Sequence, residues 1–231
     1  MPRRARLSIP GIPWHIIQRG NNKSACFFAD EDYQFYLLHL NEQAIKHGCK
    51  IHAYVLMTNH VHLLLTPEKE DSASKLMKNL GQRYVQYINR TYNRSGTLWE
   101  GRYRSCLTQT EDYVLSCYRY IELNPVRANM VKHPREYKWS SYKTNAEGKS
   151  SVLITGHDEY LKLGRKELMR RKSYRELFKA HIDEDIDNQI RAATNGNYAL
   201  GNNRFQEQIE NALGCRVTKG KAGRPKLKIV S

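Results

Sequence analysis

Between Tyr54 and Thr66 the chain reads Tyr-Val-Leu-Met-Thr-Asn-His-Val-His-Leu-Leu-Leu-Thr. Two apolar, strand-forming stretches meet at a two-residue Thr58-Asn59 turn, and this hairpin constrains the fold more than any other stretch. Side chains alternate across a strand, so His60 and His62 project from one face while Val61, Leu63 and Leu65 project from the other. Two imidazoles side by side suit a shared divalent metal. The same spacing fits two polar residues on a half-solvated strand, because two ligands do not complete a metal site.

The flanking segments extend the pattern. Trp14–Arg19 reads as a strand closed by the Gly20-Asn21-Asn22 turn cluster. Asp30–His47 follows as a helix, with Tyr33, Tyr36, Leu37, Leu40, Ala44 and Ile45 at helical spacing and Gly48 as its stop. Lys50–Met57 and His60–Thr66 form the hairpin. Ser72–Tyr92 is a second long helix, carrying Leu76, Leu80, Tyr84 and Ile88 on one side. Thr97–Thr108 reads as a fourth strand with Arg102 and Arg104 on one face. The order predicts an α+β fold, the ferredoxin-like split βαβ, with both helices on one face of an antiparallel sheet and the histidines on the open face.

Further groups for that face must come from a later segment. Glu111–Leu123, opened by a Thr110-Glu-Asp cap signal, is an added helix bearing Tyr113, Tyr118 and Tyr120. Tyr120 and Asn124 are four apart and share a helical face, and so do Tyr118 and Glu122. Either pair would bring a phenol and an oxygen ligand to the histidines. Pro125 disfavours helical geometry at Asn124 and makes that alignment approximate.

The net charge of +15 over 231 residues, with a pI near 9.6, favours a polyanionic partner. No acid precedes Asp30, whereas Arg3, Arg4, Arg6, Arg19 and Lys23 do. Arg216, Lys219, Lys221, Arg224, Lys226 and Lys228 crowd the other end, as binding groups or as a solvated basic tail. Trp14, Trp99 and Tyr103 are candidates for stacking on bases, beside Arg102 and Arg104 for phosphates, though Trp99 fits a core equally well. The five cysteines form no CxxC, which argues against a disulfide framework or a cysteine zinc site. No run approaches a membrane span, and the opening residues lack the apolar segment of a secretory signal, so a cytoplasmic protein is expected.

The expected organisation is an α+β domain over residues 1–144, a linker at Asn145–Ser151 and a helical C-terminal extension over 152–231. Asp183–Ala193 and Asn203–Leu213 could form a helix-turn-helix-like DNA-binding module or only pack on the first domain. Gly223-Arg224-Pro225-Lys226 has the character of a minor-groove arm.

His60-Val61-His62, followed about sixty residues later by Tyr120-Ile-Glu-Leu-Asn-Pro-Val126, resembles the single-tyrosine HUH transposases, and within them the REP-associated tyrosine transposases. Pro2-Arg-Arg-Ala-Arg6, Trp14-His15, Arg19-Gly20-Asn21, Met57-Thr58-Asn59 and Leu98-Trp-Glu-Gly-Arg-Tyr103 add to the resemblance, which spans residues 1 to about 143. Leu123, where wider replication initiators carry lysine, argues against that branch. Relaxases place their tyrosine before the histidines and are disfavoured. The resemblance implies Tyr120 as nucleophile, His60, His62 and Asn124 as ligands of Mg²⁺ or Mn²⁺, and single-stranded or hairpin DNA, repeat-derived, as substrate. It implies nicking and joining through a 5′-phosphotyrosine. A non-catalytic DNA-binding regulator on the same fold is the alternative, and the choice between monomer and homodimer stays open.

Overall fold

The computed structural model describes residues 6–179 and 184–220. Strand β1 (Trp14–Arg19), helix α1 (Asp30–His47), strands β2 (Cys49–Met57) and β3 (His60–Pro67), helix α2 (Ser72–Thr91) and strand β4 (Arg104–Thr108) follow in the expected order. The sheet runs β2-β3-β1-β4 with antiparallel neighbours throughout, the split βαβ arrangement. Both ends of α1 have a local cause. At the start of α1, the buried Asp32 carboxylate accepts from the Phe28 and Ala29 amides at 2.7 and 3.0 Å and from the Tyr87 and Tyr92 hydroxyls. At its end Gly48 adopts φ 62°, the left-handed conformation that closes a helix.

The strand period sorts the sheet into two faces. Trp14 and Ile16 of β1 stand opposite Leu65 and Leu63 of β3 and pack with Tyr36, Leu40, Leu76, Leu80 and Tyr84 from α1 and α2. Trp14, expected at the DNA, is only 1% exposed in this core. It shares a strand face with Ile16, so its ring is unavailable for stacking. Trp99 is likewise buried, tilted against Tyr84 with ring centroids 5.8 Å apart.

The second face carries His15, His62, Leu64, Val55 and Cys106 and is covered by helix α3 (Thr110–Glu122) and the later helices α5 (Tyr142–Glu147), α6 (Asp158–Lys162), α7 (Glu167–Lys179) and α8 (Glu184–Gly196). This face is therefore not open along its length. Between α3 and α5 the four-residue helix α4 (Asn124–Arg127) takes Pro125 in its first turn, where a missing amide hydrogen costs nothing. Leu123, between the two helices, keeps a right-handed helical backbone at φ −85° and ψ −4°.

Three expectations are corrected. Residues 97–103 form a loop rather than strand, because Gly96 and Gly101 sit at positive φ and only Trp99 bridges, to Gly20. Arg102 consequently precedes β4 and does not alternate with Arg104 along it. Residues 145–147 belong to α5 rather than a linker, since Asn145 is buried and donates to Glu122 and to the His52 carbonyl at 2.8 and 3.2 Å. Between α8 and helix α9 (Asn203–Leu213), a two-residue strand β5 (Ala199–Leu200) joins the edge of β4 in parallel, where a helix-turn-helix would need only a turn. The exposed ladder groups of β4 supply the partner, and the Gln109 amide donates to Leu200 at 2.8 Å.

Packing does not divide at residue 144. Tyr160, Tyr174, Ile190, Ala193 and Leu200 pack in one cluster with Val55, Leu64, Val114, Tyr118 and Ile121. Among the described residues no helix is long and apolar enough to cross a membrane.

Candidate active site

The two histidines of β3 stand on the second face with ring centroids 5.1 Å apart and planes at 80°. A hydrogen bond fixes each ring. The Asn59 amide nitrogen donates to the Lys23 carbonyl at 3.0 Å, which leaves its oxygen facing His60 Nδ1 at 2.6 Å. An amide oxygen only accepts, so His60 carries hydrogen on Nδ1 and a bare lone pair on Nε2. His62 Nδ1 lies 2.8 Å from His15 Nε2, and the two ring planes are within 8° of parallel with centroids 5.1 Å apart.

Burial, with Arg19 close by, pushes the His60 pKa down to about 4, against a smaller opposing effect of a hydrogen bond with Asn124. Burial and then the neighbouring His15 hold His62 well below the ordinary value, and His15 itself is pushed down to about 3, again chiefly by burial. All three rings are neutral at physiological pH, the state in which imidazole ligates metal.

Helix α3 crosses above them. Tyr120 is 6% exposed, with its ring edge-on to His62 and His15 at 5.7 and 5.5 Å. The Arg127 guanidinium lies 4.1 Å over the tyrosine ring, donates to the Tyr120 carbonyl and is paired with Asp187 of α8. The Asn124 amide nitrogen donates to the Tyr120 carbonyl at 2.8 Å, and the same side chain lies against His60. Tyr120 and Asn124 are thereby brought to the histidine pair.

Tyr118 and Glu122 are not. Tyr118 is fully buried among Tyr160 and Tyr174, and its hydroxyl accepts from the His157 amide at 3.2 Å. The Glu122 carboxylate accepts from Ser141, Asn145 and Tyr174 at 2.6–2.8 Å, and burial raises its pKa to about 7. Tyr113 donates to Gln189 at 3.2 Å.

The basic candidates fall into two groups. Arg19, Arg102 and Arg104 line a depression with Ile17, Glu100 and Asn195, and Ile17 pairs with His62 in the sheet. Arg104 donates to Asn195 at 2.9 Å. Arg6, stacked over Tyr103 at 3.7 Å, lies with Trp99, Arg102, Lys75 and Lys78 along a groove of about 690 Å³ beside α2. Arg3, Arg4 and Arg224 lie outside the described residues.

His60 and His62 are neutral imidazoles side by side, and the Asn124 amide meets His60, so the donors are of a kind a divalent ion accepts. Among the described residues no cluster of three or more His, Cys, Asp or Glu side chains could hold a metal, so any ion here depends on Asn124 as a neutral third ligand. Sequence reasoning passed over His15, Asn59, Arg127 and Thr194. Strand alternation was enough to place His15 on the face of His62, while the Thr194 contact left no signal in the sequence.

A ferredoxin-like sheet with a histidine pair under a tyrosine-bearing helix has the build of the single-tyrosine transposases. Residues 8–124, just over half of the chain, match the family model described as IS200-like transposase, and the chain belongs to that family. The fold is similar to that of a REP-associated tyrosine transposase solved bound to a REP hairpin (TM-score 0.55, 19% identity, 68% of this chain and 93% of the other covered). A structure described as a transposase of Deinococcus radiodurans R1 is 24% identical over 52% of this chain and 96% of its own, with a TM-score of 0.37. Comparison with curated proteins gave no match.

Proposed function

We propose that this transposase-family chain nicks and joins single-stranded DNA beside a hairpin, with Tyr120 as nucleophile and a Mg²⁺ or Mn²⁺ ion held by His60, His62 and Asn124. The observation that carries the reading is the convergence of these four side chains while the rival pair, Tyr118 and Glu122, is committed to the core. When bound, the ion supplies Lewis-acid polarisation of the scissile phosphate.

The protein's own groups do the rest. Arg127 and the packing of α3 hold the tyrosine ring over the histidines, which limits the positions its oxygen can take. Tyr120 Oη forms a bond to phosphorus, the bond from phosphorus to the 3′ oxygen breaks, and the phenolic proton ends on the released 3′ hydroxyl. The product is a 5′-phosphotyrosine that retains a phosphodiester. A 3′ hydroxyl from another strand can therefore reverse the step and join without ATP. Arg19, Arg102 and Arg104 line the approach to His62 and suit successive phosphates of an unpaired strand. The REP hairpin on the structurally similar transposase supports hairpin DNA as the partner class.

The test is denaturing-gel detection of a covalent adduct between the protein and a hairpin-flanked oligonucleotide, labelled on the 3′ side of the cleaved bond, with Mg²⁺ or Mn²⁺ present. Tight binding with no adduct under any divalent metal would instead identify a DNA-binding regulator.

A further inference from the structure

Thr194 belongs to α8, far along the chain from the histidines, yet its hydroxyl lies 2.8 Å from His15 Nδ1. That hydroxyl donates its own hydrogen to the Ile190 carbonyl, one helical turn back, at 2.8 Å. With its hydrogen so committed, Thr194 Oγ1 can only accept from the ring, so His15 carries hydrogen on Nδ1. His15 Nε2 is then a bare lone pair facing His62 Nδ1 at 2.8 Å, and His62 must hold its hydrogen on Nδ1. The remaining nitrogen of His62, Nε2, is left bare. Asn59 imposes the same tautomer on His60 from the other side.

We infer that Thr194 and His15 are positioning residues whose hydrogen-bond chain sets the His62 tautomer, so that the C-terminal region completes the metal-binding face of the sheet. Thr194 and His15 are both almost fully buried, so water does not substitute for either partner. Cys106 Sγ, 3.2 Å from Thr194 Oγ1, donates into the second lone pair and leaves the direction of the chain unchanged. The contact repeats a general device, in which a group behind a ligating imidazole fixes its protonated nitrogen and its ring angle. Here the device spans the chain: Ile190 and Thr194 come from α8, His15 from β1 and His62 from β3. Asp187, two turns before Thr194 on the same helix, pairs with Arg127 over Tyr120. One helix thus braces both the histidine pair and the tyrosine.

The inference rests on His62 acting as a ligand in the proposed function, but its first test needs neither metal nor DNA. Long-range ¹H–¹⁵N NMR of ¹⁵N-histidine-labelled, metal-free protein distinguishes protonated from bare ring nitrogens. His15 and His62 should each show a single tautomer, hydrogen on Nδ1 and Nε2 bare. Thr194→Val keeps the shape but removes the acceptor, so His15 and His62 should lose that single tautomer, while Thr194→Ser should restore it. Mn²⁺ affinity, read by electron paramagnetic resonance, should fall about 10- to 100-fold in Thr194→Val and recover in Thr194→Ser. A wild-type spectrum with hydrogen on His62 Nε2 overturns the inference whatever the variants do, and so does an unchanged spectrum in folded Thr194→Val. Correct tautomers in a protein that forms no DNA adduct would sink the proposed function and leave the hydrogen-bond chain standing.

Discussion

Tyr118 and Tyr120 stand two residues apart on α3 and meet different partners. Tyr120 lies edge-on to His62 at 5.7 Å, while Tyr118 lies in the second core with its hydroxyl bonded to the His157 amide. Two residues turn a helix by about 200°, enough to put the side chains on opposite sides.

This relationship separates two phenylalanine variants. Tyr120→Phe keeps the ring under Arg127 and removes only the oxygen, so folding and hairpin affinity should persist while the covalent adduct disappears. Tyr118→Phe should form the adduct at near wild-type rate and lose about 1 kcal/mol of stability, the worth of one buried hydrogen bond. Adduct from the first variant and none from the second would reverse the assignment.

The proposed metal shell is neutral, two imidazoles and an amide, and Glu122 is too deeply bound elsewhere to join it. An ion there keeps its full charge for a phosphate, so metal and DNA should bind synergistically, each raising the affinity for the other by the same factor. Titration calorimetry of Mn²⁺ with and without a hairpin oligonucleotide measures this. His60→Ala and His62→Ala should abolish cleavage with hairpin binding largely intact, and Asn124→Ala should need more metal. Tight Mn²⁺ binding to the DNA-free protein would argue against a neutral shell.

What the sequence disclosed here follows from rigid local rules. Strand alternation put His60 and His62 on one face and Val61, Leu63 and Leu65 on the other, and helical spacing placed α1 and α2 closely. The same alternation groups Trp14 with Ile16 and so with the core, but an aromatic residue beside arginines reads as a surface group when taken singly. β5 is two residues long and owes its conformation to the edge of β4, so no periodicity announces it. The reach of Thr194 to His15 depends on how α8 docks, which is decided by packing rather than by local propensity.

Acid should destabilise the protein in a defined window. Burial lowers the pKa of His15 to about 3 and of His52 and His60 to about 4, from 6.5. The unfolded chain therefore binds more protons across that interval, and the stability present in full above pH 6.5 is lost as pH falls towards 4. Glu122, raised to about 7, works the other way, contributing most at low pH and losing its share as pH rises through 7. Three histidines outweigh one carboxyl, so Tm should drop steadily from pH 6.5 to 4. His52 bonds the Thr155 carbonyl and the Thr66 hydroxyl at 2.7 and 2.8 Å, away from the site. His52→Gln should shallow the slope by at most about 3 kcal/mol across the window. A slope unchanged by that variant would show that other groups carry the effect.

Asp187 holds Arg127, which in turn covers Tyr120. Asp187→Asn should lower the rate of adduct formation with little change in DNA affinity, because it loosens the tyrosine without touching the basic surface. The loss of a largely buried charged partner should cost about 1–3 kcal/mol, readable as a drop in Tm. Equal losses of affinity and rate would indicate that Arg127 contacts DNA directly.

Truncation after Thr144 tests how far the later helices belong to the catalytic body. The cut removes Asn145, which donates to Glu122, and with it Tyr160, Tyr174, Ile190 and Ala193, the cover over Val55, Leu64, Tyr118 and Ile121. Each large apolar side chain contributes roughly 1.5–3 kcal/mol on burial. Losing several such contacts approaches the 5–15 kcal/mol that holds a typical domain folded. Glu122 would also lose the donors from Asn145 and Tyr174 that stabilise its carboxylate. The fragment 1–144 should therefore be insoluble, or collapsed without a cooperative unfolding transition in differential scanning calorimetry. Removal of residues 221–231 alone should leave that transition intact, weaken hairpin binding and make it less steeply dependent on salt, since four of the eleven residues removed are Lys or Arg and none is acidic. A soluble 1–144 fragment that melts cooperatively and forms the tyrosine adduct would show that the later helices are dispensable to the site.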